Sequence, residues 1–286
     1  MMAQGLSSTT LRCFFVCMLG GLILGASASI TSCAKTSSSG TKKTVVKECV
    51  LPEDQAGTLA ARWPTVPIPL AFKAGNFSST EISEITKAAD TWNNFYKQSL
   101  GIQVFDYGDA SQPRESSGTK PTQVCASGII QGKEFSGHVV IYKLSKWTYD
   151  NHNAIALTSF CPTPGAPLPS IFMAIMEVNY EDFFSGGNKL PDLTSIFVHE
   201  LGHLLGLDHS CDSKGKKGFP NCSAPDIPVA YINAAMFPVI PFNDRGVGEE
   251  RRSLTDNDQG RGNCIYEALR VTETPSSTGT TSTGKK

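Results

Sequence analysis

The chain has 286 residues, 40% of them apolar, and a formal net charge of −1. That length and composition support one well-buried domain of moderate size with appendages. A charge so near zero gives no electrostatic ground for binding nucleic acid or for attraction to an anionic membrane surface.

Residues 1–33 read as a processing signal rather than as fold. Arg12 precedes an apolar stretch from Cys13 to Leu24, and small residues follow. A retained transmembrane helix fits poorly, because the apolar run is short and broken by Gly and Ser. The run Ile30-Thr31-Ser32-Cys33 resembles the lipobox of bacterial lipoproteins. The resemblance implies loss of residues 1–32 and diacylation of Cys33, which would anchor the chain to a membrane. Ala34 is not Asp, so the same resemblance favours the outer membrane of a bacterial envelope. The alternative is a plain secretory signal cleaved near Ala26-Ser27-Ala28, which would leave the protein secreted.

Cys13 and Cys17 would leave with the signal, and Cys33 would carry lipid. Cys49, Cys125, Cys161, Cys211, Cys222 and Cys264 remain. An even number in an exported chain suggests disulfides, and six cysteines allow 15 connectivities. Only Cys211–Cys222, which would close a short loop, is singled out; the other pairings stay open.

Residues 33–62 are polar and lysine-dotted, and read as a tether or short pro-segment. A domain over 63–271 follows. Val66 to Phe72 reads as an edge strand, because its two prolines cannot donate to ladders on both sides. Ser78-Ser79-Thr80-Glu81 is a capping box. It opens a helix with Ile82, Ile85, Ala89, Trp92 and Phe95 on one face, ended by Gly101. Short strands are expected near 102–105, 138–143, 154–160 and 171–178. Between them, 106–135 is a long loop rich in Ser, Gly, Gln and Pro. His138 and His152 stand isolated. A low-complexity tail, 272–286, is expected to be disordered.

The densest chemical signal is His199-Glu200-Leu201-Gly202-His203-Leu204-Leu205-Gly206-Leu207-Asp208-His209. By average residue usage its chance occurrence in a chain this long is roughly one in 10⁵, so coincidence is set aside. Asp192, just after Pro191, is a good N-cap for a helix through this run. Its apolar positions recur at helical spacing and predict one buried side. His199 and His203 are then one turn apart on the same face and can reach one ion. Glu200, beside the first ligand, is placed to act as a general base on a metal-bound water. Gly206 suits a left-handed position that ends the helix and turns the chain so that His209 returns to the ion. Three neutral imidazoles leave a fourth position open, the layout of a catalytic zinc.

The extended run H-E-x-x-H-x-x-G-x-x-H is the zinc signature of the metzincin metalloproteases, and further runs resemble the matrixin type. Ser210 follows the third His. Ala234-Ala235-Met236-Phe237-Pro238 is similar to the family's Met-turn, which implies that Met236 forms a hydrophobic floor beneath the zinc. Leu254-Thr255-Asp256-Asn257-Asp258 resembles the start of the last matrixin helix, with Asn257 where Asp is expected. Thr255 is a good N-cap, and Asp258 sits at N3 near the positive helix end. Ala156 to Gly165 is similar to the edge strand bordering the cleft, with Ser159 in place of a zinc-binding His. The resemblance implies an α+β fold: a twisted mixed sheet of about five strands, an active-site zinc helix and a C-terminal helix. It implies one catalytic Zn²⁺, a protein or peptide substrate lying along Ala156 and Leu157, and Val239 and Ile240 lining the pocket after the scissile bond. No calcium pattern is seen, and oligomeric state is left at monomer by default. The 26 residues between His209 and Met236, with Lys214, Lys216 and Lys217, exceed those of compact matrixins and read as a solvated loop closed by a disulfide, with a role in shaping the cleft or binding an acidic partner as the alternative. A non-catalytic surface binding lipoprotein on the same scaffold and a zinc amidase acting on peptidoglycan remain as alternatives to the endopeptidase.

Overall fold

The apolar strand segments between Ile68 and Asn179 assemble into one mixed sheet. The computed structural model describes residues 2–4, 45–121, 125, 138–186 and 189–270. Its strands are β1 (Met2–Gln4), β2 (Ile68–Lys73), β3 (Phe105–Asp106), β4 (Gly108–Asp109), β5 (Gln112–Pro113), β6 (Glu115–Ser116), β7 (Val139–Leu144), β8 (Ala156–Thr163), β9 (Ser170–Asn179) and β10 (Val239–Pro241). The main sheet runs β3-β2-β7-β9-β8, with β6 also on β2. All of its pairings are parallel except the one that adds β8, the antiparallel edge, to β9. The helices are α1 (Ser79–Ser99), α2 (Leu193–Leu205), α3 (Val229–Ile232) and α4 (Asp256–Tyr266). This is the α+β architecture that the sequence implies.

Three local expectations need correction. First, β2 is an interior strand despite its prolines. Pro67 precedes it, and Pro69 stands one residue ahead of the β7 ladder, which begins at Leu70 opposite Val139. On the other side Pro69 stands opposite Asp106 in the β3 ladder, where the Ile68 amide donates to Val104 O. Second, the stretch 106–121 is not wholly irregular: β4 pairs with β5, and β6 extends the sheet. Third, residues 45–62 are not a loose tether where they are described. Gln55 is buried and its Nε2 donates to the Ser210 carbonyl at 2.7 Å. Asn263 Nδ2 donates to the carbonyls of Val46 and Glu48, and Cys49 is disulfide-bonded to Cys264. Polar composition misled here, because this segment is held by polar contacts rather than by an apolar stripe.

α1 starts as its capping box requires. The Ser78 side chain accepts from the Glu81 amide and the Glu81 carboxylate accepts from the Ser78 amide. Its inward face packs Ile85, Ala89, Trp92 and Tyr96 against α2 and the sheet. Trp92 Nε1 donates to the Val198 carbonyl at 2.9 Å. α2 is buried from Thr194 to Leu205 on nearly all sides, with only His203 partly open, and not on the single side expected. A helix that is apolar almost all round lies between two layers. Here α1 and the sheet cover one side, and the chain from 206 onward covers the other. Among the described residues no helix is long and apolar enough to cross a membrane. Residues 5–44 with Cys33, and the tail 272–286, lie outside the described residues, so the readings made there are not addressed; of the proposed signal only the strand β1 is described, and it pairs in parallel with β10.

Candidate metal centre

Asp192 caps α2, its carboxylate accepting from the Ser195 amide at 2.9 Å. Thirteen residues later the helix ends in a Schellman motif. The Gly206 amide donates to His203 O at 2.9 Å, and the Leu207 amide donates to Gly202 O at 3.0 Å. Gly206 has φ +110°, and a Cβ there would stand 2.0 Å from the Ala61 carbonyl oxygen. Only glycine both turns the chain and lets residues 60–62 pass so closely. The turn aims the Leu207 carbonyl at His203 Nδ1, 2.8 Å away, and brings His209 back against His203.

The remaining polar ends of α2 are satisfied from outside the helix. Trp63 Nε1 donates to Leu204 O and Tyr266 Oη to Leu205 O. These are the orphan carbonyls of a helix C-terminus.

His199 Nδ1 lies 2.7 Å from the Ala235 carbonyl. A carbonyl only accepts, so the Nδ1 atoms of His199 and His203 carry the protons. In a neutral imidazole the lone pair is then on Nε2. His199 Nε2 is buried and has no hydrogen-bond partner. His203 Nε2 and His209 Nε2 face each other at 3.2 Å. All three histidines offer ligand atoms within 4.8 Å of one another. Burial, then the neighbouring imidazoles, holds His199 and His209 well below the usual histidine range. Converging neutral nitrogens, one of them buried without a partner, fit a divalent cation that prefers nitrogen ligands. The trio is thus one zinc-type metal site. Among the described residues no other group of three His, Cys, Asp or Glu converges in this way; His152 is paired with Asp182 at 2.8 Å instead.

Glu200 lies one residue after the first histidine and is 2% exposed. It opens into a cavity of about 230 Å³ lined also by Ala60, Ala156, Leu157, Thr158, Phe160, His203, Leu207, Asp208 and His209. Ala156 and Leu157 are therefore brought to the metal ligands. Val239 and Ile240 are not among the lining residues; Ile240 is fully buried and would contact a side chain at Gly248. Met236 is fully buried, and its Sδ lies 2.2 Å from where a Gly202 Cβ would stand. Gly202, the second variable position of the motif, thus leaves the space that the methionine fills.

The shell behind the ligands was only partly visible in the sequence. Asp258, at N3 of α4, accepts from Thr255 and also from the Ala235 and Met236 amides at 2.9 and 3.1 Å. One carboxylate thus fixes both the helix start and the turn that holds His199. Arg261, fully buried, donates to the carbonyls of Asp208 and His209 at 3.1 and 3.5 Å and to Asn257 at 3.2 Å. Nothing in the spacing singled it out. Lys216 from the inserted loop reaches Asp208 at 2.7 Å. Cys211–Cys222 closes that loop as expected, and the open pairings resolve as Cys49–Cys264 and Cys125–Cys161. Thr158 was also missed. The alternation that turns Ala156 inward turns Thr158 inward too, which was the available signal.

Comparison with known proteins agrees with this geometry. The family model described as Matrixin matches residues 81–215. The chain is similar to disintegrin and metalloproteinase domain-containing protein 15 from Homo sapiens, 28% identical over 137 residues, 44% of this chain and 14% of that protein. The Rattus norvegicus protein of the same name is 28% identical over 135 residues, 43% of this chain. The chain covers 14% of the length of each of these relatives.

Proposed function

We propose that the protein is a matrixin-like zinc-dependent endopeptidase in which Glu200 is the general base; the Matrixin family model over residues 81–215 and the three converging histidines support this. The observation that carries this reading is the convergence of the three histidines beside a cavity that His203 and His209 line together with Glu200 and Ala156 to Thr158 of β8. A purely structural zinc site has no use for an acid beside it or for an open cavity. His199, His203 and His209 hold the ion, and bound zinc supplies a Lewis acid that acidifies water and polarises a carbonyl. Glu200 accepts a proton from the attacking water and passes it to the leaving amine. An extended peptide would lie along β8, the antiparallel edge strand of the main sheet. Met236, seated in the notch at Gly202, stiffens the floor of the ligand helix.

The test is cleavage of unfolded proteins and of a peptide library by the zinc-loaded protein, beside Glu200→Gln and a chelated sample. The expected result is cleavage that needs both Glu200 and zinc. A folded, zinc-loaded protein that cleaves no protein but releases fragments from purified sacculi would replace this reading with a peptidoglycan amidase.

We further propose that the protein is lipid-anchored through Cys33 in a bacterial envelope. The Ile30–Cys33 run supports this. Radiolabelled fatty acid should enter the wild-type chain and not Cys33→Ala; equal labelling of both would reject it.

A further inference from the structure

We propose that Thr158 is the positioning residue for Glu200, an inference that rests on the endopeptidase reading above. The Thr158 hydroxyl lies 2.7 Å from Glu200 Oε2 and 3.2 Å from the Glu200 backbone carbonyl. A hydroxyl has one proton to give. The shorter, charge-assisted contact to the carboxylate takes it. Among the described residues this is the sole hydrogen bond to the Glu200 side chain, although Glu200 is almost wholly buried.

The terminal torsion of a glutamate is broad, and no staggered well fixes its carboxylate plane. A general base needs one oxygen held toward the proton that it takes. Thr158 supplies that restraint. It holds Oε2 against β8 and leaves Oε1 as the free oxygen in the cavity. The register explains how a strand residue reaches a helix residue. Thr158 sits opposite Met176 on the face of β8 that packs on α2. Leu157, opposite Glu177, takes the other face. The strand that binds substrate therefore also orients the base, and the two are set by one register.

The experiment compares zinc-loaded wild type with Thr158→Val, Thr158→Ala and Thr158→Ser. Valine keeps the shape and suits a strand, so melting temperature and zinc content report whether the fold and metal site persist. Loss of one charge-assisted hydrogen bond predicts a fall in kcat of about 10- to 100-fold for Val and Ala, with KM changed by less than about twofold. Ser, which restores the hydroxyl, should recover most of kcat. A second readout is the affinity of a hydroxamate-capped peptide, measured by calorimetry. It should weaken about tenfold in Thr158→Val, and the same change in a Glu200→Gln background should weaken it no further. Wild-type kcat and hydroxamate affinity in both Val and Ala would overturn the proposal. So would a Ser variant as slow as Val, or an equal hydroxamate loss without Glu200. If the wild type cleaves nothing, the endopeptidase reading fails, while the hydroxamate cycle still decides the role of Thr158.

Discussion

The two sides of the zinc helix are built by different means. The described residues of 68–205 form a sheet and two helices around the larger part of one apolar core, in which Ile68, Leu70, Phe72, Trp92, Ile141, Phe197 and Leu201 are essentially inaccessible. Each such side chain contributes about 1.5–3 kcal/mol through burial. Residues 206–270, with the segment 45–62 laced through them, have few apolar positions in regular structure. α4 reads DNDQGRGNCIY and buries Asp258, Gln259, Arg261 and Asn263. That side is tied by hydrogen bonds, by close backbone crossings at Gly206 and Gly57, and by Cys49–Cys264 and Cys211–Cys222. The metal site lies at the join: His199 and His203 come from the apolar side and His209 from the polar side. The catalytic arrangement therefore depends on the polar side holding its shape.

The largest expected effect follows from the closest crossing. Gly206→Val places a side chain on the Ala61 carbonyl and at a φ that branched residues avoid. A loss of about 4 kcal/mol or more is expected, with zinc content in purified protein falling below half. Full zinc occupancy in that variant would show that the join is looser than described. Arg261→Met comes next. It leaves buried Asp258 and the carbonyls of Asp208 and His209 without their cation, which predicts about 3–5 kcal/mol by urea unfolding and weaker zinc binding in chelator competition. A smaller loss with unchanged zinc affinity would mean that the third ligand is held from elsewhere.

These two residues mark the limit of what the sequence discloses. The apolar side was legible because its elements carry local patterns: continuous apolar runs in β7 and β9, helical spacing in α1 and α2. The metal ligands were legible because helix geometry fixes the i, i+4 pair and Gly206 fixes the return. The polar side has no period. Arg261 and Gln55 look like surface residues until the chain crossing them is known. Thr158 and the two other disulfides are contacts between segments far apart in sequence, which local pattern does not encode. Even on the apolar side, β2 was misplaced to an edge, since local pattern does not say where a neighbour's ladder begins.

Removing Cys49–Cys264 by paired Ala substitution should cost about 2–4 kcal/mol. Hydrogen exchange should show loosening confined to 45–62 and α4. Exchange that rises equally in β7 and β9 would erase the distinction between the two sides.

The smallest effect sharpens the contrast from a charged group on the apolar side. Burial pushes Glu81 up, yet hydrogen bonds from Lys143, the Ser78 amide and Tyr180 outweigh it and hold the carboxyl at about 2, below its ordinary 4.5. Its contribution to stability is therefore complete above about pH 4.5 and is lost as pH falls toward 2. Glu81→Gln should cost about 1 kcal/mol at neutral pH, a difference that shrinks in unfolding measurements below pH 4.5. A difference that stays constant down to pH 3 would contradict this.

The central claim is that an intact metal site and Glu200 together make a peptidase. The most direct measurement is zinc stoichiometry and peptide cleavage side by side for wild type and Glu200→Gln. One zinc per chain is expected in both, and cleavage in the wild type alone. Equal cleavage by the two proteins, or loss of zinc along with Glu200, would contradict it.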